Sequence, residues 1–104
     1  MKLEMMLFME DYIREKMSDP ALYEQLAEES VELAHACMKM ARLLRGESPT
    51  PEQEPKVKER VIEELADVLL VTKIMRLKPM MWQMEWKLKR WADRLKIEWE
   101  ETNE

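Results

Sequence analysis

Residues 61–71 read VIEELADVLLV, and residues 26–36 read LAEESVELAHA. In both stretches apolar residues recur every three or four positions, as they do on one face of an α-helix. Acids interrupt that face at Glu64 and Asp67, and again at Glu29 and Glu32. A buried carboxylate needs a cationic partner, because burying it unpaired costs several kcal/mol. The two stretches therefore predict two amphipathic helices that share a cation site.

The composition favours helices along the whole chain. Its 104 residues include only one glycine and few β-branched residues, whereas Leu, Met, Ala, Glu and Lys are abundant. These are strong helix formers, and little is left for strands or Gly-rich phosphate loops. We expect one all-α domain spanning residues 1–104, small enough for a partner subunit to add stability.

Breaker residues divide the chain into four predicted helices, at 2–17, 20–45, 56–77 and 79–101. Asp19 can cap the second helix with Pro20 in its first turn, and Gly46 suits a left-handed cap at its end. The segment GESPTPEQEP (46–55) contains three prolines and cannot continue a helix. Four helices with short connections predict an antiparallel four-helix bundle.

Charge and hydropathy bear on partners and location. The net charge of −5 argues against a general affinity for nucleic acid or acidic membranes. Acids interrupt the first apolar run, which makes it a poor signal peptide, and no run reaches the ~20 residues of a membrane span. Cys37 is the only cysteine, and we predict a buried thiol in a reducing compartment. We expect a cytoplasmic protein without a nucleic-acid or membrane partner.

The helical rotation selects four of the acids. At about 100° per residue, Glu29 falls within the apolar stripe of the second helix and Glu32 at its edge. Glu64 projects from the stripe of the third helix, with Asp67 beside it. The acids that rotate toward solvent are Glu28 and Glu63. Two antiparallel helices would bring the four carboxylates together, and oxygen-only donors suit Mg²⁺, with Mn²⁺ as a second option.

The histidine suggests a second kind of metal site. Glu32-x-x-His35 matches half of the motif found in carboxylate di-iron bundles. A complete site needs two such pairs, and His35 is the only histidine. It also points about 60° away from Glu32 on the helix. Di-iron chemistry is therefore disfavoured, and phosphate chemistry around Mg²⁺ is the preferred interpretation.

The segments EESVEL (28–33) and EELADVLL (63–70) resemble the ExxE and ExxD motifs of the all-α nucleoside triphosphate pyrophosphohydrolases. This MazG-like superfamily includes dimeric dUTPases and phosphoribosyl-ATP pyrophosphohydrolase. The resemblance covers about residues 20–95, with the proline-rich loop setting the two motifs further apart than usual. It implies Mg²⁺ held by Glu29, Glu32, Glu64 and Asp67. It also implies hydrolysis of a (deoxy)nucleoside triphosphate to the monophosphate and pyrophosphate, by a homodimer or homotetramer.

Four basic residues are candidates for contacts with the triphosphate. Lys87, Arg90 and Arg94 form a stripe on the fourth helix beside an apolar face. In the resembled family, basic residues on the last helix approach the phosphates, and we transfer that role to these three. Lys39 lies about two turns beyond Glu32 and is the fourth candidate. The alternative for all four is a solvated charged face.

The fourth helix carries two apolar faces, of which one bundle can bury only one. The first contains Met84, Leu88, Trp91 and Leu95, and the second contains Trp82 and Trp86. We expect dimerisation to cover the second face.

Two other functions remain open from the sequence. Phosphoribosyl-ATP pyrophosphohydrolase shares the acidic helices, although we would expect a further N-terminal segment in it. A non-catalytic helical bundle that mediates protein contacts would use the acids as solubilising charge. That bundle predicts no dependence on Mg²⁺ and no effect of mutating Glu64.

Overall fold

The computed structural model describes residues 1–47 and 52–96, which form four α-helices and no strand. The helices are α1 (Leu3–Lys16), α2 (Asp19–Leu44), α3 (Glu54–Ile74) and α4 (Met81–Arg94). The all-α class is thus confirmed for this part of the chain. The middle of the proline-rich segment and the predicted end of the fourth helix, beyond residue 96, lie outside the described residues. No helix among those described is both long and apolar enough to cross a lipid bilayer.

The start of α2 shows how a polar side chain begins a helix. Ser18 has extended backbone, and its hydroxyl oxygen accepts a hydrogen bond from the Ala21 N–H at 3.3 Å. This satisfies one of the four N–H groups that have no partner within the helix. The prediction that Asp19 caps the helix is wrong by one position. Asp19 instead occupies the first turn, where its negative charge interacts favourably with the positive end of the helix dipole.

Helices α2 and α3 end in the same left-handed motif with different residues. Gly46 has φ +74°, and its N–H donates to the Leu43 carbonyl, as expected from the sequence. At the end of α3, Arg76 takes this position with φ +57° and donates to the Lys73 carbonyl. A side chain in this region costs roughly 1–2 kcal/mol, which glycine avoids. Helix α3 therefore ends at Ile74, three residues before the predicted end.

We expect substitutions at Arg76 and Gly46 to change the free energy of unfolding in opposite directions. Arg76→Gly should raise the free energy of unfolding by about 1 kcal/mol, because glycine adopts the left-handed conformation without strain. The variant also loses the exposed ion pair with Asp11, which offsets only a small part of this gain. Gly46→Ala should lower it by about 1 kcal/mol, and its added Cβ meets nothing within 4 Å, so the effect is purely conformational. Thermal unfolding of both variants measures this. If both variants were more stable than wild type, or both less stable, the prediction would be wrong.

Helices α2 and α3 form an antiparallel hairpin. Leu22, near the start of α2, lines the same small pocket as Met75, just after α3. Further along, Glu29 lies beside Glu64, so positions rise on one helix as they fall on the other. This places the middles of the two acidic motifs opposite each other. The hairpin is therefore the element that positions the predicted site.

The core of the described chain is small. Only five side chains among residues 1–47 and 52–96 are buried, and they are Leu22, Ala36, Val57, Val71 and Ile74. Most lie between α2 and α3, the only two helices with an extensive contact. Cys37 is exposed, so the prediction of a buried thiol is wrong for the single chain. The reason is rotation, because Cys37 follows Ala36 by 100° and so turns away from α3.

Helix α1 packs on the C-terminal end of α3 through polar contacts. The Arg14 guanidinium donates to the Ile74 carbonyl at 2.9 Å and also pairs with Asp11. Lys73 forms an ion pair with Glu10 at 3.0 Å, and the Glu10 side chain is only 12% exposed. Arg14 thus satisfies a carbonyl in the last turn of α3, one of the groups that a helix end leaves without an internal partner. These contacts hold α1 at the end of the hairpin opposite the proline-rich segment.

Helix α4 does not pack against the other described helices. None of its Cα atoms lies within 8 Å of a Cα atom in α1, α2 or α3. The radius of gyration is 18.4 Å, compared with about 13 Å for a compact chain of this length. Within the described residues, one chain therefore does not close the predicted four-helix bundle. The predicted inward face of α4 is exposed, at Met84, Leu88, Trp91 and Leu95.

Candidate metal centre

The hairpin brings three of the four selected acids together. Glu29, Glu64 and Asp67 each offer a carboxylate oxygen, and these three atoms all lie within 4.8 Å of one another. Glu29 and Glu64 are half-buried, whereas Asp67 is exposed. The acids predicted to face solvent, Glu28 and Glu63, are both exposed. Exposure therefore separates Glu29 and Glu64 from Glu28 and Glu63, as the helical rotation predicts, but it does not separate Asp67 from them.

Glu32 borders the same cluster. Its side chain is exposed, and its negative charge contributes to raising the pKa of Glu64. Glu32 therefore lies near Glu64, although it is not one of the three residues whose oxygens lie within 4.8 Å of one another.

Two buried carboxylate oxygens in the cluster have no hydrogen-bond partner. They are Glu29 Oε2 and Glu64 Oε2. The other oxygen of Glu29 accepts a hydrogen bond from Gln25 Nε2 at 2.8 Å, which fixes the orientation of this carboxylate. Buried polar atoms are nearly always satisfied, so two such atoms in one place make this cluster a candidate site for a cation.

The environment of Glu64 raises its pKa above the ordinary value of 4.5. Removal of the carboxyl group from water is the largest cause, followed by the negative charges of Glu32 and Asp67. The charge of Glu29 acts in the same direction. Each disfavours the ionised form. A bound cation would reverse this effect, because it favours the ionised carboxylate.

We expect this pKa to appear in the pH dependence of metal-free stability. Above the raised pKa, Glu64 is ionised in both the folded and unfolded states, so the folded protein bears the full cost of the charge. As the pH falls through that pKa toward 4.5, the folded state binds the proton first and the cost disappears. Glu64→Gln should therefore melt at a higher temperature than wild type at neutral pH in EDTA, and the difference should vanish near pH 4.5. Glu63→Gln, which changes an exposed acid, should show no such trend.

The donor set fits a hard divalent cation. Every donor in the cluster is an oxygen, without histidine or thiolate, which suits Mg²⁺ or Mn²⁺. In octahedral Mg²⁺ coordination, adjacent oxygens are about 3 Å apart and opposite ones about 4.2 Å apart. The three oxygens, which lie within 4.8 Å of one another, would therefore have to move closer together around the ion. Glu29 and Glu64 would supply buried ligand oxygens, and the exposed Asp67 and Glu32 would complete the protein side of the shell.

The structure does not bring the predicted basic residues to this cluster within one chain. Lys87, Arg90 and Arg94 lie on α4, which does not pack on the hairpin, and the Arg90 guanidinium stacks 4.9 Å from the centre of the Trp86 ring. Lys39 pairs with Glu52 at 2.5 Å. The Lys39 ammonium, as hydrogen-bond donor and positive charge, lowers the pKa of that carboxyl group.

Two features of the site escaped the sequence analysis. Gln25 precedes Glu29 by four residues, a spacing that allows side-chain hydrogen bonds along a helix and could have pointed to this contact. The pairing of Lys39 with Glu52 joins residues on either side of the proline-rich segment, and no local spacing reveals it. His35 is exposed and is not among the grouped ligands.

Comparison of the chain with family models, curated proteins and solved structures found no match. Its class is therefore defined by fold and site geometry alone. The described part is an all-α chain whose central hairpin carries a partly buried cluster of carboxylates.

Proposed function

We propose that this chain is a Mg²⁺-dependent pyrophosphohydrolase that converts (deoxy)nucleoside triphosphates to monophosphates and pyrophosphate. The observation that supports it best is the pair of unpartnered buried oxygens on Glu29 and Glu64, since a divalent cation would pair with both. The resemblance of EESVEL and EELADVLL to the MazG-like motifs supports the same reaction. The predicted cytoplasmic location is part of this proposal.

Each part of the cluster has a role in this reaction. Bound Mg²⁺ would neutralise charge on the phosphate oxygens, which is its usual contribution to phosphoryl transfer. Glu29, held by Gln25, and Glu64 would form the half-buried side of the site and would hold the cation. The exposed carboxylates of Glu32 and Asp67 face the solvent from which the attacking water comes, so a carboxylate on this side can accept its proton.

A substrate panel tests the proposal. Standard, deoxy and damaged nucleoside triphosphates, together with phosphoribosyl-ATP, are incubated with Mg²⁺ and assayed for pyrophosphate and monophosphate. We expect the two products in equal amounts from at least one substrate, and none in EDTA. Preference for phosphoribosyl-ATP would select that member of the resembled family. Release of inorganic phosphate alone, or no product from any substrate, would reject the proposed reaction.

A non-catalytic interaction protein is the second candidate. It is supported by the large number of exposed apolar side chains, including Phe8 at 70% and Leu88 at 67% exposure. Such surfaces are typical of protein contacts. This candidate predicts that the carboxylate cluster only adds charge, so neither Mg²⁺ nor Glu64→Gln should change any measured property beyond metal-free stability.

A further inference from the structure

The C-terminal end of helix α3 carries a cavity whose lining contains cations and no acid. It is an open cavity of about 340 Å³, a volume at which small-molecule sites begin. The residues that line it are Thr72, Lys73, Arg76, Leu77 and Lys78. Three of these five side chains are positively charged, in a chain whose net charge is −5. Positive charge is therefore concentrated at one cavity of a chain that is acidic as a whole.

Acids on helix α1 neutralise only part of this charge. Lys73 forms an ion pair with Glu10 at 3.0 Å. A guanidinium nitrogen of Arg76 lies 3.6 Å from Asp11 Oδ1, but Arg14 forms an ion pair with the same carboxylate oxygen. Two carboxylates therefore serve three cations where α1 packs on the end of α3.

Lys78 adds a fourth cation to this region. It takes part in none of the ion pairs within residues 1–47 and 52–96. The side chains of Lys73 and Arg76 also remain accessible, at 52% and 72% exposure. The cavity and its ion pairs together contain four cations and two carboxylates, so an anion with two negative charges would balance them.

Arg76 occupies a backbone conformation that suits glycine better than arginine. Its φ of +57° disfavours any side chain, and its exposed pair with Asp11 contributes little to stability. Lys96 ends α4 in the same conformation, so the strain alone does not identify a site. It does make two effects separable at Arg76, because removal of this side chain should stabilise the fold and weaken any anion site that uses it.

We propose that the cavity binds a small phosphorylated anion, held by Lys73, Arg76 and Lys78. A phosphate group offers three acceptor oxygens, one for each cation, whereas a carboxylate offers two. The helix end does not prevent this, because carbonyls in its last turn accept hydrogen bonds from the N–H groups of Arg76 and Leu77. The Leu77 side chain is 41% exposed and would contact the part of the ligand beyond the phosphate.

The cavity is separate from the carboxylate cluster. Lys73 follows Glu64 by nine residues, which corresponds to half a turn of rotation and about 14 Å along the axis of α3. A ligand held by Lys73 therefore lies on another face of the helix than the carboxylate of Glu64. Binding in the cavity requires neither Mg²⁺ nor hydrolysis of a nucleotide.

Titration of the metal-free protein in EDTA tests the site directly. Inorganic phosphate, tripolyphosphate and ATP are added at constant ionic strength, and the backbone amides are followed by NMR. We expect saturable shifts at residues 72–78, with tripolyphosphate bound more tightly than phosphate. Equal affinity for tripolyphosphate and ATP would identify an inorganic ligand, and tighter binding of ATP an organic one. Shifts of similar size at every basic segment, or no shift, would overturn the proposal.

A matched pair of variants tests whether position or net charge determines binding. The first neutralises the three cations of the cavity, by Lys73→Gln, Arg76→Gln and Lys78→Gln. The control neutralises two lysines and one arginine elsewhere, by Lys2→Gln, Arg45→Gln and Lys58→Gln. We expect the affinity for tripolyphosphate to fall at least tenfold in the first variant and less than twofold in the control. Equal losses in both would show a general charge effect and overturn the proposal.

Two single variants separate this site from folding and from the proposed function. Arg76→Gly should melt at a higher temperature than wild type yet bind tripolyphosphate at least threefold more weakly, which a folding defect cannot produce. Glu64→Gln should bind tripolyphosphate in EDTA as wild type does. Unchanged affinity in Arg76→Gly, or lost affinity in Glu64→Gln, would overturn the proposal. Failure to hydrolyse any nucleoside triphosphate would reject the proposed function alone.

Discussion

Replacing Glu64 by Gln should lower kcat/KM for the proposed triphosphate hydrolysis by about 10²–10³-fold, as expected for loss of a group that positions charge in the transition state. Gln keeps the size of the side chain but removes the negative charge on the buried oxygen that has no protein partner. Mg²⁺ should also bind more weakly. Steady-state kinetics and calorimetric titration with Mg²⁺ measure the two effects.

The control is Glu63→Gln, which removes an acid from the next position of the same helix. Glu63 is exposed and rotated away from the cluster, so its loss should change kcat/KM less than twofold and leave Mg²⁺ binding intact. In the absence of metal, Glu64→Gln should be more stable than wild type, although it is less active, because the substitution removes a charge that has no partner. Hydrolysis that survives Glu64→Gln would remove this cluster from the mechanism.

Leu22→Ala lowers the free energy of unfolding by about 3 kcal/mol, within the usual range for truncating a buried leucine. Leu22 is only 3% exposed and is one of five buried apolar residues in the described chain. For a domain of this size the loss corresponds to a fall in melting temperature of roughly 12–20 °C. The hairpin would separate first at its Leu22 end, where this side chain faces Met75.

Leu44→Ala is the matched control for this prediction. Leu44 lies on the same helix but is 62% exposed, so the same truncation should cost less than about 0.5 kcal/mol. Both variants should be melted at one protein concentration, since the stability of an oligomer depends on it. Equal losses for the two leucines would show that burial in the hairpin core does not determine stability.

The carboxylate cluster was predictable because helical rotation is a local property. The assignment of Glu29 and Glu64 to the inner face and of Glu28 and Glu63 to solvent follows from 3.6 residues per turn. Gly46 was predictable as a helix end for the same reason, since only a residue without a side chain adopts φ > 0 without strain. The metal, the reaction and the substrate-binding residues stay predictions, because no local pattern reports on what binds.

Other features depend on contacts between distant residues. Arg76 ends α3 in a conformation that its own side chain disfavours, and no sequence rule assigns that position to arginine. The pairing of Lys39 with Glu52 requires the hairpin to close across the proline-rich segment. Cys37 was predicted to be buried but is exposed, because the width of the buried stripe depends on the partner helix and not on α2 alone.

The sequence by itself determined four helices, the breaks between them and the rotation of the acids, because hydrogen bonding and side-chain direction in a helix depend on near neighbours. Only the tertiary structure decided that α2 and α3 pair, that two carboxylate oxygens are buried without partners and that α4 remains apart from the described helices. Packing between helices depends on which apolar faces meet. In this chain α4 and the hairpin each present such a face, and within one copy they do not meet.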